Sequence, residues 1–527
     1  MDAEERKKRQ FIKVILAEVT MVASVVLIVV VATLLAMGFS ISQNGKIEQT
    51  GLMQLHSMPT GATVEVDGGT LFSRTNLSRT LSAGEHEVTL SRSGYDTWTK
   101  RVKIYSGVLT RVYYPRLFLK ERTPEVTFQL GAVGLEFLKA APSRNYIIYA
   151  LADATEWRLL DMRGDEVKMN VLDMSGVLPG IVDETTTGTT RPNAAMTPRY
   201  RFEGEVLELK WSENDDRILA KVRYQEKTEW VLVNLRNLAD SLNLTRTFGL
   251  DFDQVEMIDG SASQLYALEN HQLRRIDTAG KAVSRILVNH VEQFANWGTN
   301  VIFVSQFNQS TLSGTELKGR EIGVYRDDEK AGTVLARVEE ANANVRVALS
   351  KRSGEDYMIY TVDNKMVILH GALPSYSEKG ADLTELEQLA DSRELAQMPE
   401  KLSVSSEGQY AVARKGQQWM AMDLDMGELY EYTAPVAELN WLDESMMYAT
   451  AEGRVTVWDF DGANKRVLVG EAAVDDADLA DGEIVLNEKA QSTVEPYAAL
   501  ITTNNRWLYY VTKSDEGWQL MREKIRD

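Results

Sequence analysis

The residue types best suited to chemistry are few and widely spaced in this sequence. It contains five histidines and no cysteine. The histidines are His56, His86, His271, His290 and His370. No two of them stand three or four residues apart, the spacing that brings two imidazoles onto one metal ion. Without cysteine, the chain has no thiol nucleophile, thiolate metal site or disulfide.

Linear motifs of known enzyme classes are missing as well. The sequence has no H-E-x-x-H, no Walker A loop and no G-x-S-x-G. Residues 459–462 (DFDG) begin like a calcium-binding loop, but Lys465 and Arg466 follow where oxygen ligands are needed. We interpret 459–462 as a turn. We predict no catalytic residue, no cofactor-binding residue, no metal ligand and no cofactor, so the protein is expected not to be an enzyme.

Length and charge limit the class of protein. With 527 residues, the chain is long enough for two or more domains or one large repeat fold. It is 44% hydrophobic and 26% charged, as expected for a globular protein. The 58 Lys and Arg against 77 Asp and Glu give a net charge of −19. Such a balance excludes a general nucleic-acid binder, which needs a basic surface.

One segment is apolar enough to cross a membrane. Residues 19–39 form a run of 21 residues without a charge, which spans roughly 31 Å as a helix. Five Lys and Arg precede it between positions 6 and 13, so the positive-inside rule predicts a cytoplasmic N-terminus and extracytoplasmic C-terminal domains. We expect a cytoplasmic basic tail (1–18), a transmembrane signal anchor (19–39) and a juxtamembrane linker (40–50). The alternative is a signal peptide cleaved near 36–38, but the run is longer than a usual apolar region of such peptides.

Short strands separated by turns follow in residues 51–120. Residues 52–57 and 62–67 alternate between apolar and polar side chains, with a Pro-Thr-Gly turn at 59–61. His86, Val88 and Leu90 share one face of a later strand, and we interpret His86 as a packed or edge histidine. For Tyr95 and Trp98 we expect core or edge packing, with stacking on a carbohydrate as the alternative.

These same residues resemble the PEGA domain. The resemblance is carried by residues 57–68 (SMPTGATVEVDG), 81–88 (LSAGEHEV) and 92–95 (RSGY). Thr60 stands where the family has Glu, and of its usual Gly-x-Thr-Pro only Thr75 matches. The resemblance implies a small β-sandwich module of a prokaryotic surface protein, with a spacer or adhesive role and no catalytic activity.

The remaining residues, 121–527, contain an internal repeat. Eight times, a polar turn precedes a short apolar strand, and a second strand with Trp near its start often follows, as at Trp157, Trp230, Trp419 and Trp518. Three apparent insertions (172–205, 372–400 and 471–496) make up 89 of these 407 residues, and eight units share the rest at about 40 residues each. This spacing predicts a β-propeller of eight blades, with seven as the alternative.

Two details refine the propeller prediction. The last unit has only three strands, and residues 126–130 form an isolated strand before the first unit, so we expect them to pair and close the ring. Residues 211–215 (WSEND) resemble the strand entry of TolB-like and WD-repeat propellers, which supports the fold but no activity. Among the insertions, 175–197 is expected to be a loop and 381–398 a helix, and recognition usually lies in such segments.

We therefore predict an all-β ectodomain on a single N-terminal transmembrane helix: a PEGA-like β-sandwich domain (51–120) and a β-propeller (121–527). The expected protein is a bacterial cell-envelope protein of the cell membrane. Its predicted function is non-catalytic binding of an envelope protein or cell-wall glycan. The alternatives are a glycan hydrolase or lyase with its site in the propeller channel, which paired inward carboxylates would favour, and a structural surface spacer.

Overall fold

The structure is a computed structural model. It describes residues 3–527 except for 37–38, 42–46, 152–153, 165, 179–180, 184–198, 203, 259, 261, 311–315, 328, 341, 378–382, 385, 389–391, 435–440, 452–453 and 471–498. The chain divides into two compact units, Met1–Arg122 and Thr123–Ile525.

The first unit begins with a long helix, α1 (Ala3–Ala36). Within it, Ile15–Thr33 has a mean hydropathy of 2.7 and exposed side chains, so the helix is long and apolar enough to cross a membrane. The hydroxyls of Thr20, Ser24 and Thr33 donate to carbonyls one turn back, which satisfies their polar atoms inside the helix. The helix ends earlier than the predicted anchor, because Phe39 already belongs to the first strand.

Two four-stranded sheets make up the rest of this unit. Their strands are β1 (Phe39–Ile41), β2 (Ile47–Leu55), β3 (Thr63–Val66), β4 (Gly69–Thr70), β5 (Leu77–Ser82), β6 (Gly84–Ser91), β7 (Trp98–Ile104) and β8 (Leu109–Val112). In the first sheet, β2 pairs with β1, β5 and β8; the second has the order β4-β3-β6-β7. Side chains of β7 alternate between buried and exposed at every residue, as the sequence pattern predicts for a half-buried strand.

Residues 40–50 differ from the expected linker. Phe39 pairs with Gln49 and Ile41 with Ile47, so β1 and β2 form an antiparallel hairpin that continues into the first sheet. The described residues of this segment, 40–41 and 47–50, therefore belong to strands of the domain. The first sheet begins three residues after α1 ends.

The second unit is an all-β propeller built from successive antiparallel sheets, and its fold class is as predicted. Within the described residues, eight sheets of three to five strands follow one another along the chain. Sheets 1 to 4 contain β10 (Leu135–Ala140), β11 (Tyr146–Leu151), β12 (Ala154–Asp161), β13 (Lys168–Leu172); β16 (Glu205–Trp211), β17 (Arg217–Tyr224), β18 (Lys227–Asn234), β19 (Leu242–Asn243); β20 (Gln254–Met257), β21 (Gln264–Glu269), β22 (Gln272–Asp277), β23 (Ala282–Val283); and β24 (Val291–Trp297), β25 (Asn300–Ser310), β26 (Glu316–Tyr325), β27 (Thr333–Val338).

Sheets 5 to 8 complete the unit. They contain β28 (Val345–Arg352), β29 (Glu355–Val362), β30 (Lys365–Gly371), β31 (Glu387–Gln388), β32 (Arg393–Glu394); β33 (Lys401–Val404), β34 (Tyr410–Lys415), β35 (Gln418–Asp423), β36 (Glu428–Thr433); β37 (Met446–Ala451), β38 (Arg454–Asp459), β39 (Arg466–Val469); and β40 (Ala499–Ile501), β41 (Trp507–Ser514), β42 (Gly517–Lys524) with β9 (Glu125–Gly131). A separate hairpin, β14 (Ile181–Asp183) and β15 (Arg199–Arg201), and a short helix, α2 (Leu244–Phe248), lie between these strands.

The first strand of the unit closes the last sheet, as predicted. β9 pairs with β42, so sheet 8 has the order β40-β41-β42-β9. Gly517, at the start of β42, has φ 118, and a Cβ there would stand 2.3 Å from the carbonyl oxygen of Gly131. Only glycine fits here, where the first and last strands of the propeller approach each other. Pairing covers the edges that β9 and β42 would otherwise leave open.

Neighbouring sheets share apolar clusters, which is the physical reason for the repeat. Trp157 of sheet 1 lies in one cluster with Ile218 of sheet 2, and Trp230 of sheet 2 lies in the next with Leu265 of sheet 3. Central strands such as β11 are buried on both faces and so cannot fold as isolated sheets. The repeated tryptophans Trp157, Trp230, Trp419 and Trp518 are all buried, as expected of residues packed between sheets.

The helix predicted at 381–398 is wrong for the residues that the structure describes there. β31 and β32 instead add two short strands to the free edge of β30. Leu386 and Leu395 pack against two different apolar clusters of the propeller, so the leucines are not used as one helical stripe. Most of the predicted 175–197 loop, and all of the insertion at 471–496, lie outside the described residues.

Candidate functional site

The first strands of the propeller sheets carry polar side chains that form a candidate functional site. β20 lies against β24, β24 against β28, and β28 against β33, so these first strands are the ones that neighbouring sheets bring together. In a propeller such strands surround the central axis. We call the polar side chains of these strands the axial polar groups, and they are the candidate functional site.

An ion-pair network joins the first strands of sheets 2 and 3. The Lys210 ammonium lies 2.7 Å from a carboxylate oxygen of Glu208 and 2.7 Å from one of Glu256. Burial alone would lower the pKa of Lys210, but the two carboxylates outweigh it and the pKa is raised. Gln254 donates to the same oxygen of Glu256 at 3.0 Å. Lys210 therefore stays charged and holds two strands together.

Side-chain amides make similar bridges further around the axis. Gln254 of β20 donates to the carbonyl of Phe294 at 2.9 Å, and Asn296 of β24 donates back to the carbonyl of Met257 at 2.9 Å. Gln293 of β24 donates to the carbonyl of Val345 in β28. Each side chain thus completes the hydrogen bonding of a neighbouring first strand. These axial polar groups bond sheet to sheet.

Glu136 and Glu205 lie on the first strands of sheets 1 and 2. Glu136 on β10 has a raised pKa, first because of burial and second because of the negative charge of Glu205 on β16. Glu205 also forms an ion pair with Arg223 at 2.9 Å. The raised pKa favours the protonated form of Glu136 relative to an unperturbed glutamate.

A second set of inter-sheet bonds lies in the turns between first and second strands. Glu444, before β37, accepts from Ser406 Oγ at 2.9 Å, from the Glu407 N–H at 2.7 Å and from the Gln409 N–H at 3.1 Å, and also from the Ser405 hydroxyl. The turn after β10 makes a weaker contact of the same kind, where the Ser143 N–H donates to Asp215 at 3.3 Å. Acids in one turn therefore fix the turn of the preceding sheet.

The histidines lie in separate environments. His370 Nδ1 lies 2.8 Å from Glu355, and His271 Nδ1 lies 3.1 Å from the Val291 carbonyl. Within the part of the chain that the structure describes, no three His, Asp or Glu side chains form a group able to hold a metal ion. Residues 459–462 form a turn, in which Asn464 donates to Asp459 at 2.9 Å.

His86 has an acidic partner that sequence spacing did not suggest. Its Nδ1 donates to Asp67 at 2.6 Å, and its Nε2 lies 2.8 Å from the Ser82 carbonyl and 3.3 Å from the Ser82 hydroxyl. The order Ser-His-Asp resembles a catalytic triad, but the carbonyl occupies the nitrogen that would have to accept the serine proton. The interpretation of His86 as a packed histidine agrees with its burial.

Aromatic residues of the first unit differ in exposure. Tyr95 and Trp98 are buried, in agreement with the expected core packing. Tyr113, which sequence reasoning did not single out, is 45% exposed and stacks on His56 with ring centroids 4.2 Å apart. Its position directly after an alternating strand was the available signal, since it falls on the outer face.

Comparisons with known proteins give one family match and several similar solved structures. Residues 50–116 match the PEGA domain family. The β-propeller domain of Myceliophteria thermophila Cps50 (Swd1) is similar to the chain at 11% identity and a TM-score of 0.36, covering 64% of this chain and 97% of that one. An oligogalacturonate lyase in complex with manganese (12% identity, TM-score 0.36, 60% and 88% covered) and Kluyveromyces lactis Hsv2 (9%, 0.33, 62% and 98%) are similar as well. No curated protein matches the sequence.

Proposed function

We propose that this chain is a single-pass protein of a bacterial cell envelope whose propeller binds an envelope protein or glycan without converting it. The N-terminus lies in the cytoplasm, α1 anchors the chain, and the PEGA domain (51–120) and the propeller of eight blades (121–527) lie outside. The five Lys and Arg between positions 6 and 13 support this orientation.

One observation carries the binding role: several of the axial polar groups are bonded to one another and to neighbouring backbone. Lys210 is held by two carboxylates, and Gln254, Gln293 and Asn296 each donate to a carbonyl of the adjacent first strand. Side chains that already form hydrogen bonds and ion pairs between sheets make the ring rigid, and a rigid ring suits a scaffold. Catalysis would instead require some of them to be available to a substrate.

The net charge of the propeller limits the kinds of partner that it attracts. Residues 123–527 carry 66 Asp and Glu against 42 Lys and Arg. A surface with this excess of negative charge attracts basic partners and repels acidic polymers. We therefore favour a basic envelope protein or an uncharged glycan as the partner of the propeller.

The test separates binding from turnover. The full chain, purified in detergent, is incubated with purified cell-wall glycans, and the products are read by mass spectrometry. We expect retention of a wall component and no new products. Release of defined oligosaccharides by the wild type, abolished in Glu136→Gln, would overturn the binding role.

Glu136 is the specific observation behind a second candidate, a glycan hydrolase. Glu136 is an exposed carboxyl whose pKa is raised by partial desolvation and by the nearby charge of Glu205, and a carboxyl of raised pKa is what glycosidases use as a general acid. Glu136→Gln removes that acid, whereas Glu208→Gln removes a carboxylate of the Lys210 network. A hydrolase would lose activity in the first variant and retain most of it in the second.

A further inference from the structure

The outer face of the first PEGA sheet carries a group of partly or fully exposed side chains that do not pack into the core. We call it the Tyr113 face and define it by Gln54, His56, Ser78, Arg111 and Tyr113. In β2, Met53 and Leu55 point into the core and are fully buried, so Gln54 and His56 lie on the opposite side. In β8 the buried Thr110 and Val112 likewise place Arg111 and Tyr113 outward.

Strand register brings these residues together. Gln54 lies opposite Arg111 on the parallel neighbour β8 and opposite Ser78 on the antiparallel neighbour β5. Side chains directly opposite each other on one face stand about 5 Å apart at their Cβ atoms. An amide, a guanidinium and a hydroxyl therefore form one row, with the His56–Tyr113 pair one step further along the strands.

Tyr113 is held in a fixed orientation although it is 45% exposed. Its ring stacks on His56 at 4.2 Å with an interplanar angle of 22°, and its hydroxyl donates to Gln54. An aromatic ring fixed in this way presents apolar area to a ligand without a large loss of side-chain entropy on binding. The negative face of the ring attracts the weakly positive C–H groups of a sugar.

The Tyr113 face has positive charge without a compensating acid. The segments 49–56, 77–82 and 109–113 contain no Asp or Glu, and Arg111 is their cation on this face, because Arg79 lies opposite the buried Met53. Arg111 is exposed and makes no ion pair within the described residues. On the second sheet, by contrast, Arg101 lies opposite Glu87. The acid of β2 on the outer side, Glu48, is six residues from Gln54, roughly 20 Å along the strand.

We propose that the Tyr113 face binds an acidic polysaccharide. A sugar ring stacks on Tyr113, its hydroxyls bond to Gln54 and Ser78, and its carboxylate pairs with Arg111. A membrane surface would require a cluster of several Lys and Arg, whereas this face combines few cations with an aromatic ring and amide and hydroxyl groups. The site is independent of whatever the propeller binds, because the negative charge of the propeller disfavours the same polymer.

The test uses the full chain in nanodiscs of uncharged lipid, with polygalacturonate as the acidic probe and dextran as the neutral one. We expect polygalacturonate to bind and dextran not to bind. Arg111→Gln and Tyr113→Ala should each weaken binding about tenfold or more, the effect of losing one charge-assisted or stacking contact. Arg101→Gln, the matched control on the second sheet, should leave binding unchanged.

Equal losses in Arg111→Gln and Arg101→Gln would show attraction by net charge alone and would overturn the proposal. So would dextran binding as tight as that of polygalacturonate, or displacement of polygalacturonate by phosphatidylglycerol vesicles. If Tyr113→Ala lowers the melting temperature, Tyr113→Leu replaces it: this variant keeps an apolar side chain and must still lose binding. Retained binding in a folded Tyr113→Leu protein contradicts the stacking contact.

Discussion

Ser406 donates its hydroxyl hydrogen to the carboxylate of Glu444 at 2.9 Å, from one sheet of the propeller to the next. The same carboxylate accepts two backbone N–H groups of the Ser406 turn. Hydrogen bonds to a charged acceptor are about twice as strong as those between neutral groups. Glu444 is therefore a structural acid that fixes the angle between sheets 6 and 7.

Replacing Glu444 tests this role. We expect Glu444→Gln to lower the free energy of unfolding by about 1.5–3 kcal/mol, because several donors lose a charged acceptor. Glu407→Gln is the matched control, since Glu407 lies in the same turn with an exposed side chain and contributes its backbone N–H. Urea unfolding followed by tryptophan fluorescence measures both variants; equal stability of the two contradicts the assignment.

A second prediction tests closure of the ring by comparing two substitutions within β9. Leu130 of β9 is 2% exposed and packs in the cluster shared by sheets 8 and 1, whereas Val126 of the same strand is 52% exposed. Leu130→Ala should destabilise the whole propeller by about 2–5 kcal/mol. Val126→Ala should change stability by less than about 0.5 kcal/mol. Calorimetry is the measurement; the idea fails if Leu130→Ala leaves the main transition of the propeller where it was.

The buried tryptophans make a third prediction. Trp230 Nε1 donates to the Phe252 carbonyl at 2.9 Å, whereas Trp419 Nε1 has no hydrogen-bond partner among the residues that the structure describes. Both side chains are almost fully buried, so replacement by Phe removes similar volume from each site. Trp230→Phe should cost about 1–3 kcal/mol more than Trp419→Phe, because it leaves a buried carbonyl without its donor. Melting temperatures of the two variants, measured side by side, decide this.

A fourth prediction concerns the stability of the PEGA domain at low pH. The hydrogen bond from His86, and then that from the Glu87 N–H, lower the pKa of Asp67. A carboxyl with a lowered folded-state pKa adds stability above its unfolded pKa of about 3.9 and loses it as the pH falls through the folded value. The wild-type PEGA domain should therefore lose stability below about pH 4 more steeply than Asp67→Asn. Parallel slopes for the two proteins in an acid titration would exclude the contribution.

The orientation in the membrane gives the fifth prediction. Changing Arg6, Lys7, Lys8 and Arg9 to Gln removes most of the charge difference across the apolar segment, so the orientation should become mixed or inverted. Protease added to intact cells measures it, because only exposed propellers are digested. The parent chain should be digested and the variant partly protected; complete protection of the parent contradicts the proposed topology.

More of the fold than of the candidate site could be predicted from the sequence. The strand at 126–130 and the buried tryptophans were predicted because period-2 burial and repeat spacing are local properties of the chain. The partnership of His86 with Asp67, 19 residues away, depends on how β3 and β6 pair, which no local pattern encodes. The helix predicted at 381–398 failed because leucine spacing does not say which surface each leucine covers, and here two clusters share them. Lys210 and Glu256 are 46 residues apart and come into contact because adjacent sheets of the propeller pack side by side.

The pairing of β9 with β42 has a consequence for biosynthesis. Gly131 and Trp518 are partners in this pairing, so the first strand leaves the ribosome 387 residues before its neighbour. At about 5–20 residues per second, this delay amounts to roughly 20–80 seconds. During that interval both ends of the growing array expose unpaired strand edges, which other chains can extend into aggregates. The protein therefore depends on protection of these edges until its last strand is synthesised. A chain truncated near the C-terminus would keep unpaired strand edges and would be prone to aggregate.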